Sequence, residues 1–237
     1  MDTDELALPP NPELLNRQPK WFKPVLGMCI GASALFAIAL LLFAPPMIIP
    51  THRHADMTEA ISNARQISLA LLEFEMDNGS YPSAATIPLV VKKHPAHGHM
   101  LAGTSSNTFF RQLFVEELTY SEQMFHARVF GINKPDSIIT PGKALEKGEC
   151  AFSYISGLSS KDDPLTPIVL TPLIPGTTKF DPKPFDGKAI ILHIDNSVRS
   201  YDIAKDGHIY DAKGINLLSP KHPIWKGKAP DIRYPEL

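Results

Sequence analysis

Residues 55–82, ADMTEAISNARQISLALLEFEMDNGSYP, decide the fold. Ala60, Ile61, Ala64, Ile67, Ala70, Leu71 and Phe74 recur at steps of three and four, which aligns them along one side of a 3.6-residue helix. Arg65, Gln66, Glu73 and Asp77 fall elsewhere. The spacing predicts an amphipathic helix with one face built to be covered. Asp56 or Thr58 can cap its start, and Asp56 is better placed because Glu59, three residues on, can reach back as a capping-box partner. The stop is stronger. Asn78-Gly79 supplies a left-handed C-terminal cap, and Pro82 forbids continuation while holding Tyr81 extended.

Upstream, residues 25–44 (VLGMCIGASALFAIALLLFA) carry no charge. At about 1.5 Å of rise per residue the run matches a hydrocarbon core of about 30 Å, so a transmembrane helix is expected over residues 24–44. A cleaved signal peptide is the competing reading, but its apolar region is normally shorter, and Pro45 and Pro46 follow the candidate site near Ala44. Arg17, Lys20 and Lys23 outweigh Arg53 on the far flank, which places the N-terminus in the cytoplasm. Residues 1–23, broken by Pro9, Pro10, Pro12 and Pro19, read as a flexible tail. Residues 45–54, with Pro45, Pro46 and Pro50, read as a kinked linker between two separate rods. Gly27 and Gly31 form a G-x-x-x-G that would let two membrane helices approach closely, with a generic alanine-rich anchor as the alternative.

Downstream, residues 87–93 (IPLVVKK) read as a short strand or loop. His94, His97 and His99 follow, imidazoles able to hold a transition metal, but with no acidic residue or cysteine beside them and with Pro95 and Gly98 marking an exposed turn. Residues 107–118 predict a second helix capped by Ser105 or Ser106, with Phe110, Leu113, Phe114 and Leu118 as its buried stripe, and residues 121–125 a further turn. Residues 135–148 have loop composition. Strands are expected at residues 150–155, 167–173, 188–194 and 197–203, the last two joined by a two-residue hairpin at Asp195-Asn196. Residues 209–225 close the domain and residues 230–237 form a loosely held tail. The fold class is therefore α+β: a transmembrane helix, then a domain over residues 55–237 in which a long helix packs on an antiparallel sheet of about four strands.

The run Asn63-Ala64-Arg65-Gln66-Ile67, then Ala70-Leu71, Phe74 and Asp77-Asn78-Gly79-Ser80-Tyr81-Pro82, resembles the soluble half of the first helix and the helix exit of bacterial pseudopilins, nearest the major pseudopilin of type II secretion. The strand pair at residues 187–199 resembles the terminal sheet of the same family more loosely. The resemblance implies a helix face of Ile61, Ala64, Ile67, Leu71 and Phe74 packed on the sheet, with Asn78, Gly79, Tyr81 and Pro82 starting the crossing to it. It also implies other pilin-like or secretion-system proteins as partners, possible homo-oligomers, and a calcium site in the C-terminal loops, for which Asp206 and Asp211 are the nearest residues. One departure is plain. The family carries a glutamate five residues after a glycine cleavage site; Gly27 is followed at that place by Ala32, and Gly31 by Phe36. Processing by prepilin peptidase is not expected from that pattern.

Net charge is −2 with both signs interspersed, which gives no footprint for nucleic acid. The two cysteines, Cys29 in the apolar run and Cys150 far beyond it, cannot staple the domain to itself. No nucleophile with a base, no strained G-x-S-x-G turn and no glycine-rich phosphate loop is visible; Ser153, Ser156, Ser159 and Ser160 read as strand and loop serines. Asp206 and Asp211 lack the companions of an EF-hand loop, and turn capping is their ordinary role. The expectation is a non-catalytic membrane-anchored component of a type II secretion or type IV pilus-like system. It would lie in the bacterial inner membrane with its domain in the periplasm and require no cofactor. The alternative is a membrane-tethered binding domain for a glycan, peptide or envelope component.

Overall fold

The computed structural model describes residues 48–140 and 142–237. The tail at residues 1–23, the expected span at 24–44 with Gly27 and Gly31, and linker residues 45–47 lie outside them. Among the described residues no helix is long and apolar enough to cross a membrane.

Helix α1 runs over Ile48–Asn78. Its core face is the one the spacing gives: Ala60, Ala64, Ile67, Ala70, Leu71 and Phe74 are buried, with Ile61 partly so. Its start corrects the sequence reading. Residues 48–54, expected as linker, are helical, and Pro50 lies inside this stretch, since proline blocks only the turn before it. Asp56 and Thr58 therefore sit within the helix and cap nothing. The Thr58 hydroxyl donates back to the His54 carbonyl at 2.8 Å, Asp56 lies 3.4 Å from Arg128, and Glu59 accepts from Gln123 at 2.9 Å. The exit holds as expected. Gly79 adopts φ +79°, and its N–H donates to the Glu75 carbonyl at 2.7 Å.

Residues 87–93 form helix α2 (Ile87–Lys93), not a strand. Pro88 is tolerated in its first turn, and burial of Val90 overrides the strand preference of a β-branched run. The histidine segment continues as a 3-10 turn over Pro95–Leu101. Helix α3 spans Ser106–Val115, with Ser105 as its cap accepting from the Thr108 N–H at 3.1 Å. Phe110, Leu113 and Phe114 are buried as expected. So are Phe109, Asn107 and Gln112, because α3 is covered on nearly all sides.

The sheet has five strands in the order β4-β3-β2-β1-β5, all antiparallel neighbours. They are β1 (Ser153–Ile155), β2 (Pro167–Thr171), β3 (Lys188–His193), β4 (Val198–Asp202) and β5 (Ile232–Arg233). The fifth strand corrects the reading of residues 230–237 as a loose tail. Tyr154 pairs with Arg233 and Ile155 with Ile232. The Tyr234 carbonyl accepts from the Ser106 N–H at 3.0 Å, and the Glu236 carbonyl from the Gly148 N–H at 2.7 Å.

The β3–β4 connection is also longer than expected. Asn196 N–H donates to the His193 carbonyl and His193 N–H to the Ser197 carbonyl, each at 3.0 Å. Residues 194–196 thus make a three-residue loop with Asn196 at φ +62°, a conformation asparagine tolerates.

Both sheet faces are covered. Tyr154, Ile168, Ile190 and Leu192 pack in one cluster with α1 and α3, while Ile155, Leu170, Ala189 and Ile191 pack with Ile209, Leu218 and Trp225 of the C-terminal loops. Burial on both sides explains why β3 reads as an unbroken apolar run.

Candidate functional site

The residues assigned to helix packing and helix exit form one continuous arrangement. Lys93 donates to Asn78 Oδ1 at 2.9 Å, Tyr81 is buried, and the buried Tyr154 hydroxyl of β1 donates to the Pro82 carbonyl at 2.8 Å. At the far end of the sheet the Ser68 hydroxyl meets Asn196 Oδ1 at 2.7 Å. The exit turn and the hairpin tip thus fasten α1 to the sheet at two places. The outward face of α1 leaves Leu69 and Met76 exposed, at 68% and 86%.

The candidate metal-ligating residues, His94, His97, His99, Asp206 and Asp211, do not form a set of three ligands. Among the described residues, the one set of three His, Cys, Asp or Glu donors with ligand atoms within 4.8 Å of each other is Glu122, Asp136 and Glu149. His99 is exposed, with Nδ1 3.1 Å from the Ala96 carbonyl, and His94 Nε2 lies 3.7 Å from Glu116, whose carboxylate also takes Lys93 at 3.2 Å. Asp206 accepts from the His208 N–H at 3.1 Å and the Tyr210 hydroxyl at 2.5 Å, and these bonds, the tyrosine's foremost, hold its carboxyl down to about 2. Asp211 accepts from the N–H groups of Ile215 and Lys213 at 2.7 and 2.9 Å, which lowers its pKa, and stands 3.4 Å from His222. Both aspartates act as turn caps.

Glu122, Asp136 and Glu149 are a feature the sequence did not flag. Glu122 accepts from Leu145 N–H at 2.6 Å and Ser137 N–H at 2.9 Å, and Glu149 from Glu146 N–H at 2.6 Å and Asp136 N–H at 3.3 Å. Burial nevertheless pushes the Glu122 carboxyl up. Every oxygen of the two glutamates thus receives a backbone N–H, and the pair staples a segment whose composition reads as loop. No spacing motif links positions so far apart in the chain.

Two cavities stand out. An apolar cleft of about 260 Å³ is lined by Val129, Phe130, Ile132, Ile174 and Leu237, with Phe130 92% exposed. A more polar cavity of about 340 Å³ lies between the end of β1 and the 3-10 turn Pro223–Trp225, and Thr166 forms part of its lining. Of the serines, Ser153 and Ser156 are buried, and Ser159 donates to Asp162 from its N–H at 2.9 Å and its hydroxyl at 3.2 Å. His193 is held by the Leu165 carbonyl on Nδ1 at 2.7 Å and accepts from the Tyr201 hydroxyl on Nε2 at 2.9 Å, and burial lowers its pKa.

Compared with known protein families, curated proteins and solved structures, the chain matches none.

Proposed function

We propose that the chain is a non-catalytic, membrane-anchored, pilin-like structural or assembly component of a type II secretion or type IV pilus-like system. In this reading residues 24–44 hold it in the bacterial inner membrane with the N-terminus in the cytoplasm. The domain over residues 55–237 stands in the periplasm and works by binding neighbouring pilin-like subunits. The observation that carries it is the course of α1, whose buried face covers one side of an antiparallel sheet before the Asn78-Gly79 exit leads through Tyr81-Pro82 toward the rest of the domain. The exposed apolar side chains Phe130 and Ile174 are the contact positions that follow from the reading, since large apolar groups displayed together mark interaction surfaces.

The test is the intact mass of the protein extracted from its native membrane, combined with a photo-cross-linking residue at position 130. Cross-links to a second copy or to another pilin-like chain are expected. A protein that is monomeric and captures no such chain from position 130 would refute the reading. The mass decides between a permanently anchored subunit, at full length, and one cut after Gly27 or Gly31.

A further inference from the structure

We propose that the cavity between the end of β1 and the turn Pro223–Trp225 is a binding site for a small carboxylate borne on a ring or branched apolar body. At about 340 Å³ it holds on the order of ten water molecules, or a ligand with a similar number of non-hydrogen atoms. Three features of its wall specify that chemistry, and they stand whether or not the chain joins an assembly.

The first is Thr166. It is 1% exposed and lines the cavity, and its hydroxyl is buried without a hydrogen-bond partner. Its backbone is satisfied: the N–H donates to the Asp163 carbonyl at 2.9 Å and the carbonyl accepts from Ile194 N–H at 3.1 Å. Only the side-chain oxygen is left over, and buried hydroxyls are not ordinarily left so.

The second is charge. Lys226 and Lys228 line the cavity and are exposed. Among the described residues the lysines in ion pairs are Lys93, Lys143 and Lys188, which leaves these two without a carboxylate. Of the two acids on the same wall, Asp231 is paired with Arg233 at 2.7 Å, while Asp162 accepts only from the neutral Ser159 and keeps its charge. Two lysines against one unpaired carboxylate leave the net charge at the cavity positive. A cation would meet two ammonium groups, and a purely apolar guest would leave Thr166 unpartnered.

The third is a fixed apolar wall. Trp225 is 7% exposed and anchored by its Nε1–H to the Leu217 carbonyl at 2.7 Å, with Ile155 and Leu158 also lining the cavity. The Lys228 N–H donates to the Trp225 carbonyl at 2.9 Å, so the tryptophan and the lysines belong to one tight turn. Such a wall takes a ring or branched body while the lysines take its carboxylate and Thr166 a hydroxyl or carboxyl oxygen.

The test titrates the full-length protein in detergent with glucuronate and with phenylacetate, each beside its neutral counterpart, glucose or phenylethanol. Trp225 fluorescence is read in a Trp21→Phe background. At least one acid is expected to bind about tenfold or more tightly than its neutral counterpart, and which acid wins separates an acidic sugar from an apolar acid. Replacing both Lys226 and Lys228 by alanine should erase that preference. Thr166→Val should weaken binding about fivefold, the worth of one hydrogen bond, while Thr166→Ser, which keeps the hydroxyl, should retain it. The proposal is overturned if neither acid binds at about 10 mM, or if binding is unchanged in both the lysine variant and Thr166→Val; the cavity then holds solvent only.

Discussion

Asn63 is a polar residue on the buried face of α1, 4% exposed. Its Nδ2 group donates to the Gln123 carbonyl at 2.9 Å and to the His126 carbonyl at 2.8 Å, which joins the helix to the chain leaving the Glu122–Phe125 turn. Asn63→Ala removes both donors at once. The Gln123 carbonyl keeps a second partner, the His126 N–H at 3.1 Å, so its loss is about 0.5–1 kcal/mol. The bond to the His126 carbonyl has no such substitute, and its loss costs about 1–2 kcal/mol. The sum, about 1.5–3 kcal/mol, should lower Tm by about 3–12 °C in a domain of this size.

Asn63→Asp should be worse at neutral pH, because a carboxylate would face two carbonyl oxygens, and it should recover partly in acid as that carboxyl protonates. Ser62→Ala, at an exposed neighbouring position, is the control and should shift stability by less than about 0.5 kcal/mol. The assay is thermal and urea unfolding of the full chain followed by circular dichroism. If Asn63→Ala unfolds within about 0.5 kcal/mol of the wild type, the two bonds do not hold α1 in place and the reasoning fails.

Cys150 is fully buried, and burial pushes its thiol up to about 12, so a maleimide should label it only at the rate of unfolding; labelling within minutes under native conditions would contradict this placement. Burial pulls the His193 imidazole below its ordinary value, so the unfolded chain binds the proton more readily. Its contribution is present above about pH 6.5 and is lost as pH falls from there through the folded value. His193→Gln should flatten that part of the stability–pH curve, and an unchanged slope would count against the buried neutral ring. Deleting residues 232–237 removes two ladder pairs and the bonds to Ser106 and Gly148, and should cost more than about 3 kcal/mol by chemical unfolding. A truncated chain as stable as the parent would restore the loose-tail reading.

Legibility in the sequence follows the range of the interactions. The buried stripe of α1 and its Gly79 stop depend on residues within a few positions of one another, and both were readable, as were the sites of β3 and β4. The start of α1 was not. Asp56 and Thr58 fit a cap by type, but their partners, Arg128 and the His54 carbonyl, are set by a helix that continues upstream. Helix α2 is not legible locally because Ile87, Val90 and Val91 favour strands, while burial of Val90 against other parts of the domain decides the outcome. Strand β5 is two residues long and exists only because β1 offers an edge. The same holds for the sites. His94, His97 and His99 are close in sequence yet do not bring three ligand atoms together, whereas Thr166, Trp225 and Lys228 meet at one cavity with nothing in their spacing to announce it.

That cavity and the sheet edge are built from one segment. Pro230 and Asp231 line the cavity, and the next two residues, Ile232 and Arg233, are β5. Ser156, just past β1, donates its N–H to the Asp231 carbonyl at 3.0 Å, and its own residue lines the same cavity. The last residues beyond β5 then tie down the start of α3 through Tyr234 and Glu236, the latter accepting at its carboxylate from Ser105 and donating its N–H to Asn107 Oδ1 at 3.0 Å. A ligand held against Thr166 and Lys228 therefore bears on the segment that closes the sheet at β1 and anchors the cap of α3. A ligand that binds there only in the folded state would stabilise it by mass action, through the residues that lead into β5.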